Sequence, residues 1–362
     1  MIKRFLAPFV VLALVLTACG SNAAPTSVPA TAVPATSAPA TSVPAVATAA
    51  ASAATAASTA QGTAAVAAVA PGPGSLSFSG GFALTVLVQK WSEEYVKTHA
   101  DEKFDIQAGG AGKGITDVLA GATSVGLVTR ALKKEEIAQG AVGYAVALDA
   151  VVVTINAANP VLAQIQASGL TKDQLNRVFI KAEKLTWGGL LGTSDTTPIN
   201  VYTRSDAAGA ADQLALYLGA KAQADIKGTA VNGDPGLAQA VSQDPSGIGF
   251  NSITFAYDPT TGKPAQGLAI VPLDLDGNGK LDPSESFYAT ATDINTAVGN
   301  GKYPNPPVRV LLLVTKGPAT GDAKDFITWG LTDGQAFIET AGFVKLPADQ
   351  LQASLDSIKA GK

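Results

Sequence analysis

Three turns in this sequence pair very small side chains with the expected start of a helix, a combination suited to holding an anion. They read Ser79-Gly80-Gly81-Phe82-Ala83, Gly109-Gly110-Ala111-Gly112-Lys113-Gly114 and Arg204-Ser205-Asp206-Ala207-Ala208-Gly209-Ala210. The first turn of a helix presents N–H groups with no intrahelical partner, and the helix dipole favours negative charge there. Absent or tiny side chains let an oxyanion come close to those groups. Arg130 and Arg204 end expected strands in matching contexts, Val128-Thr129-Arg130 and Tyr202-Thr203-Arg204. The carboxyl ends of strands face the ligand crevice in open α/β sheets, and a guanidinium there can grip an oxyanion through two parallel hydrogen bonds. The candidate ligand-binding set is Gly80, Gly81, Phe82, Ala111, Gly112, Lys113, Thr129, Arg130, Arg204, Ser205, Ala208, Gly209 and Ala210. Asp206 reads first as a helix cap and second as an acceptor for a protonated oxyanion.

A second chemistry is written into Asp274-Leu275-Asp276-Gly277-Asn278-Gly279-Lys280-Leu281-Asp282-Pro283-Ser284-Glu285. This run fits the twelve-residue EF-hand loop, with Gly279 at the sharp turn and Leu281 at the apolar position. Asp274, Asp276, Asn278, Lys280, Asp282 and Glu285 stand at the metal-ligating positions, the Lys280 position being one that ligates through its carbonyl. The expected cofactor is a structural Ca²⁺. An expected strand at 268–272 precedes the loop, so a lone clamp is expected rather than a paired sensor.

Composition excludes other chemistries. There is one Cys, Cys19, and one His, His99, which leaves no disulfide within the chain and no Cys- or His-based metal cluster. Without a nucleophile–base pair or a catalytic metal site, an enzyme is not expected. The formal net charge is −4; setting aside Lys3 and Arg4 leaves 23 basic against 29 acidic residues, or −6. A body of that sign offers no nucleic-acid surface, and an anionic ligand must be held by local geometry.

The elements that position these residues follow from hydrophobic periodicity. Strands are expected at 76–79, 104–108, 124–129, 150–156, 199–203, 247–250 and 308–315, alternating with amphipathic helices, the signature of an α/β protein. Two similar halves in one chain imply two α/β lobes with a ligand cleft between them. Lobe 1 is expected at 74–150 plus 306–362, and lobe 2 at 151–305, with the calcium loop at 274–285.

Ahead of the lobes, residues 1–18 read as a signal peptide, with Lys3 and Arg4 before the apolar run 5–16. That run is too short to span a bilayer comfortably. Residues 19–73 are mostly Ala, Thr, Ser, Pro and Val, and no charge appears between Arg4 and Lys90. Such a segment cannot offset the entropy of folding and is expected to be a disordered tether, reaching roughly 3.1 Å per residue where it is Pro-rich.

The stretch Leu16-Thr17-Ala18-Cys19 resembles the lipobox of bacterial lipoproteins. That resemblance implies cleavage before Cys19, lipidation of its sulfur and anchoring of an extracytoplasmic protein to the cell membrane. The glycine turns, together with Gly126-Leu127-Val128-Thr129-Arg130, Asp149-Ala150-Val151-Val152-Val153, Gly247-Ile248-Gly249-Phe250 and Tyr303-Pro304, resemble the phosphate-binding proteins of ABC importers. The likeness runs from about residue 76 to about residue 346. It implies a type II periplasmic-binding-protein fold with two crossovers, phosphate or a related oxyanion as ligand, and delivery to an ABC transporter permease. Members of that family commonly carry hydroxyl side chains in the three turns; here the matching positions read Gly80-Gly81-Phe82-Ala83, Ala111 and Ala208-Gly209-Ala210. Each absent hydroxyl forfeits a hydrogen bond to a charged ligand worth roughly 1.5–3 kcal/mol. A surface module for adhesion or signalling with a vestigial cleft therefore stays open as the alternative.

Overall fold

The short apolar runs become strands of one mixed nine-stranded sheet in the computed structural model, which describes residues 75–361. β1 (Ser75–Gly80) lies between β2 (Lys103–Ala108) and β3 (Val125–Val128) and is parallel to both. There follow the long β4 (Ala141–Asn156), the short β5 (Leu170–Thr171), β6 (Asn200–Arg204), β7 (Thr229–Val231) and β8 (Gly247–Ser252). β9 (Leu268–Ile270), β10 (Leu273–Asp274) and β11 (Val308–Lys316) complete the set. The order across the sheet is β2-β1-β3-β11-β4-β8-β6-β7, with β9 also on β4, while β5 and β10 pair separately.

β4 links the two halves. Its residues Ala141 to Ala150 pair antiparallel with β11, and Val151 to Ile155 pair with β8. The expected strand 150–156 is the second half of this element. Its first half escapes a periodicity reading because Gly140 and Gly143 interrupt the pattern. Two large apolar clusters flank that switch. One gathers Phe78, Leu84, Trp91, Tyr144 and Phe326; the other gathers Val153, Phe179, Trp187, Leu214 and Phe250. Each half thus has its own core, the physical definition of a lobe.

The leader 1–18, Cys19 and the tether up to residue 73 lie outside the described residues. Among the described residues, no helix is long and apolar enough to cross a membrane.

Candidate functional site

All three glycine turns lead into helices of at least nine residues: Phe82–Tyr95, Ala111–Ala120 and Gly209–Tyr217. In none does the N-cap residue cap the helix with its own side chain, since Gly81, Gly110 and Ala208 stand there, although the Ala208 amide donates to Gln223 Oε1 at 2.7 Å. The expectation that Asp206 caps the third helix is therefore corrected. It lies two residues ahead of the cap, and its carboxylate is drawn instead to Arg204.

The three helix starts meet at one cavity of about 10 Å³. Of the expected ligand-binding residues, Gly81, Phe82, Ala111, Thr129, Arg204, Ala208, Gly209 and Ala210 line it. Ala83, Gly110, Asp234 and Arg309 line it as well. A volume of that size is room for about one water molecule. The turns touch closely: a Cβ on Gly209 would stand 2.4 Å from Thr129 Oγ1, and one on Gly110, whose φ is +88°, would stand 2.5 Å from Asp206 Oδ2. Both glycines are required for these approaches.

Five expected residues sit elsewhere. Gly80 lies behind the cavity, its carbonyl accepting from the amides of Gly109 and Gly110 at 2.8 and 2.9 Å. The Gly112 amide donates across the cleft to the Ala207 carbonyl at 3.0 Å, and the Lys113 ammonium pairs with Asp117 one turn along its own helix. Gly112, Ser205 and Arg130 line a separate, open groove.

Arg130 is the main correction. Its Nη1 and Nη2 donate to the Glu136 carboxylate at 2.9 and 2.7 Å, and its Nε stands 3.5 Å from Asp212 on the opposite lobe. It is a clasp between lobes, not a lining of the cavity. Burial pushes the Glu136 carboxyl upward, but the Arg130 guanidinium and the Lys133 amide outweigh it and hold it below the usual carboxylate range.

Arg204 lines the cavity. It is 4% exposed, and each guanidinium nitrogen has a carboxylate partner: Nε and Nη2 donate to Asp206 at 2.8 and 2.6 Å, and Nη1 donates to Asp234 at 2.5 Å. The Phe82 ring covers it at 5.1 Å, a cation–π contact. Burial lowers the affinity of this guanidinium for its proton, but Asp234 and Asp206 overcome that and raise its pKa above the ordinary value.

The second guanidinium in the cavity is Arg309, which is absent from the set expected on sequence pattern. Its Nε and Nη2 donate to Asp149 Oδ2 at 3.1 and 2.7 Å, and Nη2 reaches Ser252 Oγ at 2.5 Å. Asp149 and Arg309 are register partners on β4 and β11, where the sheet passes between lobes. Asp149 is 1% exposed, and its Oδ1 has no side-chain partner among the described residues. Burial pushes its carboxyl above the ordinary range, with Arg309 opposing. The sequence does hold a usable signal, since a lone charge inside an otherwise apolar strand is rarely buried without a partner. Asp234, in the first turn of the helix Gly233–Gln243, reads in sequence only as a helix opening. The network holds two guanidiniums against three carboxylates, those of Asp149, Asp206 and Asp234.

The acidic loop forms a second centre in the other lobe. Carboxylate oxygens of Asp274, Asp276 and Glu285 lie within 4.8 Å of one another, and Asp274 and Glu285 are buried. Asp274 accepts from the amides of Gly277, Asn278 and Gly279 at 2.7, 3.2 and 2.9 Å, curling the chain around its carboxylate. Glu285 closes the loop by accepting from the amides of Leu275 and Asp282 at 2.8 and 3.3 Å. Asn278 donates to Asp276 and Asp282, while the Lys280 amide donates to Asn278 Oδ1. The all-oxygen donor set suits a hard cation such as Ca²⁺.

The chain matches the PBP superfamily domain over residues 45–333. It is 27% identical over 284 residues to Protein SphX of Synechococcus elongatus, spanning 75% of this chain and 77% of that one. It is 29% identical over 204 residues to the phosphate-binding protein PstS of Pseudomonas aeruginosa, covering 50% of this chain and 59% of that relative's length. In three dimensions it resembles a phosphate ABC transporter substrate-binding protein from Clostridium perfringens with bound phosphate. The TM-score there is 0.60 at 22% identity, over 75% of this chain and 100% of that one. With two lobes, a strand passing between them and a closed ring of helix starts at their junction, the chain has the type II periplasmic-binding-protein fold and belongs to the PBP superfamily.

Proposed function

We propose that the protein is an extracytoplasmic solute-binding protein that captures phosphate, or a related oxyanion, for an ABC importer. The observation that carries this reading is the meeting of three uncapped helix starts with Arg204 and Arg309 at one cavity. Such starts offer unpaired amides to an anion, and guanidiniums add charge and directed donors. The relatives support phosphate: one is a phosphate-binding protein at 29% identity, and another is a phosphate-bound structure of the same fold. These are binding proteins of transport rather than enzymes. An anion larger than one water requires the lobes to part and the turns to yield, so capture is a hinge motion about β4 and β11. Lipidation at Cys19 would tether this receptor to the cell membrane, beside its permease partner.

One observation favours the alternative of an adhesion or signalling module with a vestigial cleft: the cavity is small and both guanidiniums are already paired. Titration calorimetry of the calcium-replete protein with inorganic phosphate, sulfate, arsenate and a phosphate monoester separates the two. Binding of one of these is the expected result; silence across the panel leaves the vestigial reading in possession.

The loop 274–285 is proposed to hold a structural Ca²⁺ through Asp274, Asp276, Asn278, the Lys280 carbonyl, Asp282 and Glu285. Extracellular sites of this type bind at about 10⁻⁴–10⁻³ M. Calcium at 10 mM is then expected to stabilise the protein by roughly 1.4–2.7 kcal/mol over chelated protein. That corresponds to a Tm rise of about 2–5 °C. Thermal melts with and without chelator check this. The response should vanish in Glu285→Gln, and a parent melt indifferent to calcium would end the proposal.

A further inference from the structure

Arg204 is oriented twice over. Asp206 grips it side-on through Nε and Nη2, which alone fixes the plane of the guanidinium. Asp234 takes the remaining Nη1. Its carboxylate, 3% exposed, also accepts from the amide and hydroxyl of Ser252 at 3.0 and 3.1 Å. Those three donors, one guanidinium arm, one backbone amide and one hydroxyl, are the kind that would surround an oxyanion. The residue is held there from behind, its own carbonyl accepting from Asn251 at 2.9 Å. Asp234 is one of three carboxylates that the network sets against two guanidiniums.

We infer that Asp234 is a resident rival of the bound anion. Its carboxylate occupies the anion's place on Arg204, capture proceeds by exchange of that carboxylate for the ligand, and Asp234 thereby sets the affinity. This rests on the oxyanion-receptor reading above and deepens it, because it makes a cavity-lining acid an opponent of binding rather than a support. Removing its charge frees one guanidinium arm and relieves like-charge repulsion, while Asp206 keeps Arg204 in position.

The test is calorimetric titration of inorganic phosphate into the full chain, the Asp234→Asn and Asp234→Ser variants, and Asp333→Asn, which removes an exposed charge on the other lobe. Thermal melts establish that each variant is folded, and the serine variant serves should the asparagine variant not fold. The expected result is phosphate binding at least about tenfold tighter in both Asp234 variants, with Asp333→Asn unchanged. Folded Asp234 variants that bind phosphate no better than the parent, or more weakly, would overturn the rivalry and make Asp234 a support for Arg204. No binding in the parent or any variant is a different outcome, which defeats the receptor reading and the inference with it.

Discussion

Arg204→Leu is expected to abolish measurable phosphate binding and to lower folding stability by about 3–5 kcal/mol. Both effects have one origin. Among the described residues, Arg204 is the one guanidinium paired with Asp206 and Asp234, whose side chains are only 8% and 4% exposed. Removing it leaves two largely buried carboxylates without their cation, with only the Gly233 amide on Asp206 and the Ser252 amide and hydroxyl on Asp234 to offset their desolvation. The same deletion takes away the cavity's best-placed donor and leaves net negative charge facing the ligand. Chemical denaturation and calorimetry measure the two losses separately. The double variant Arg204→Leu/Asp234→Asn should recover part of the stability but none of the binding, because it removes a stranded charge without restoring a donor. A leucine variant as stable as the parent would mean that Asp206 and Asp234 find solvent, so the network would not be sealed.

The contrast between Arg204 and Arg130 marks how much of the site is legible in the sequence. Both follow a threonine, Arg204 as the last residue of β6 and Arg130 two residues past β3, and local pattern treats them alike. What separates them is distant. Glu136 turns back on Arg130 from the next short helix, and Asp212 reaches it from the other lobe. Arg204 meets Asp234, thirty residues further along the chain. Arg309 and Asp149 are 160 residues apart and become partners only through the register of β4 with β11. Periodicity reveals strands and helix starts because those are local properties. It carries no information on which strand will lie beside which. The three glycine turns are legible as a set because the reason for small side chains, close approach of main chain to main chain, acts at each turn separately. The acidic loop is legible for a related reason, since its ligand spacing is contained in twelve consecutive residues. The fold follows from many short matches in order, whereas the pairing of charges inside the cleft does not follow from any of them.

The mechanical counterpart of this electrostatic argument lies at Gly209. Its backbone is outside the left-handed region, so a side chain there meets no conformational strain. It would meet Thr129 instead: Oγ1 at 2.4 Å and the carbonyl oxygen at 2.5 Å. The hydroxyl could rotate away, but the carbonyl belongs to the backbone beside β3 and cannot. Gly209 and Thr129 belong to opposite lobes, so the cheapest relief is for the lobes to stand apart. Gly209→Val should therefore prop the cleft open, break the bond from the Gly112 amide to the Ala207 carbonyl, and weaken phosphate binding by at least about 100-fold, or ~2.7 kcal/mol. Each lobe keeps its own core, and global stability should change by less than about 1.5 kcal/mol. Gly209→Ala, with the same Cβ but no branches, should fall between the parent and the valine variant. Small-angle scattering with saturating phosphate gives the second reading: the parent compacts and the valine variant does not. If Gly209→Val closed and bound like the parent, the contact between opposed turns would not belong to the binding-competent state, and the helix starts would have to hold their anion in some other arrangement.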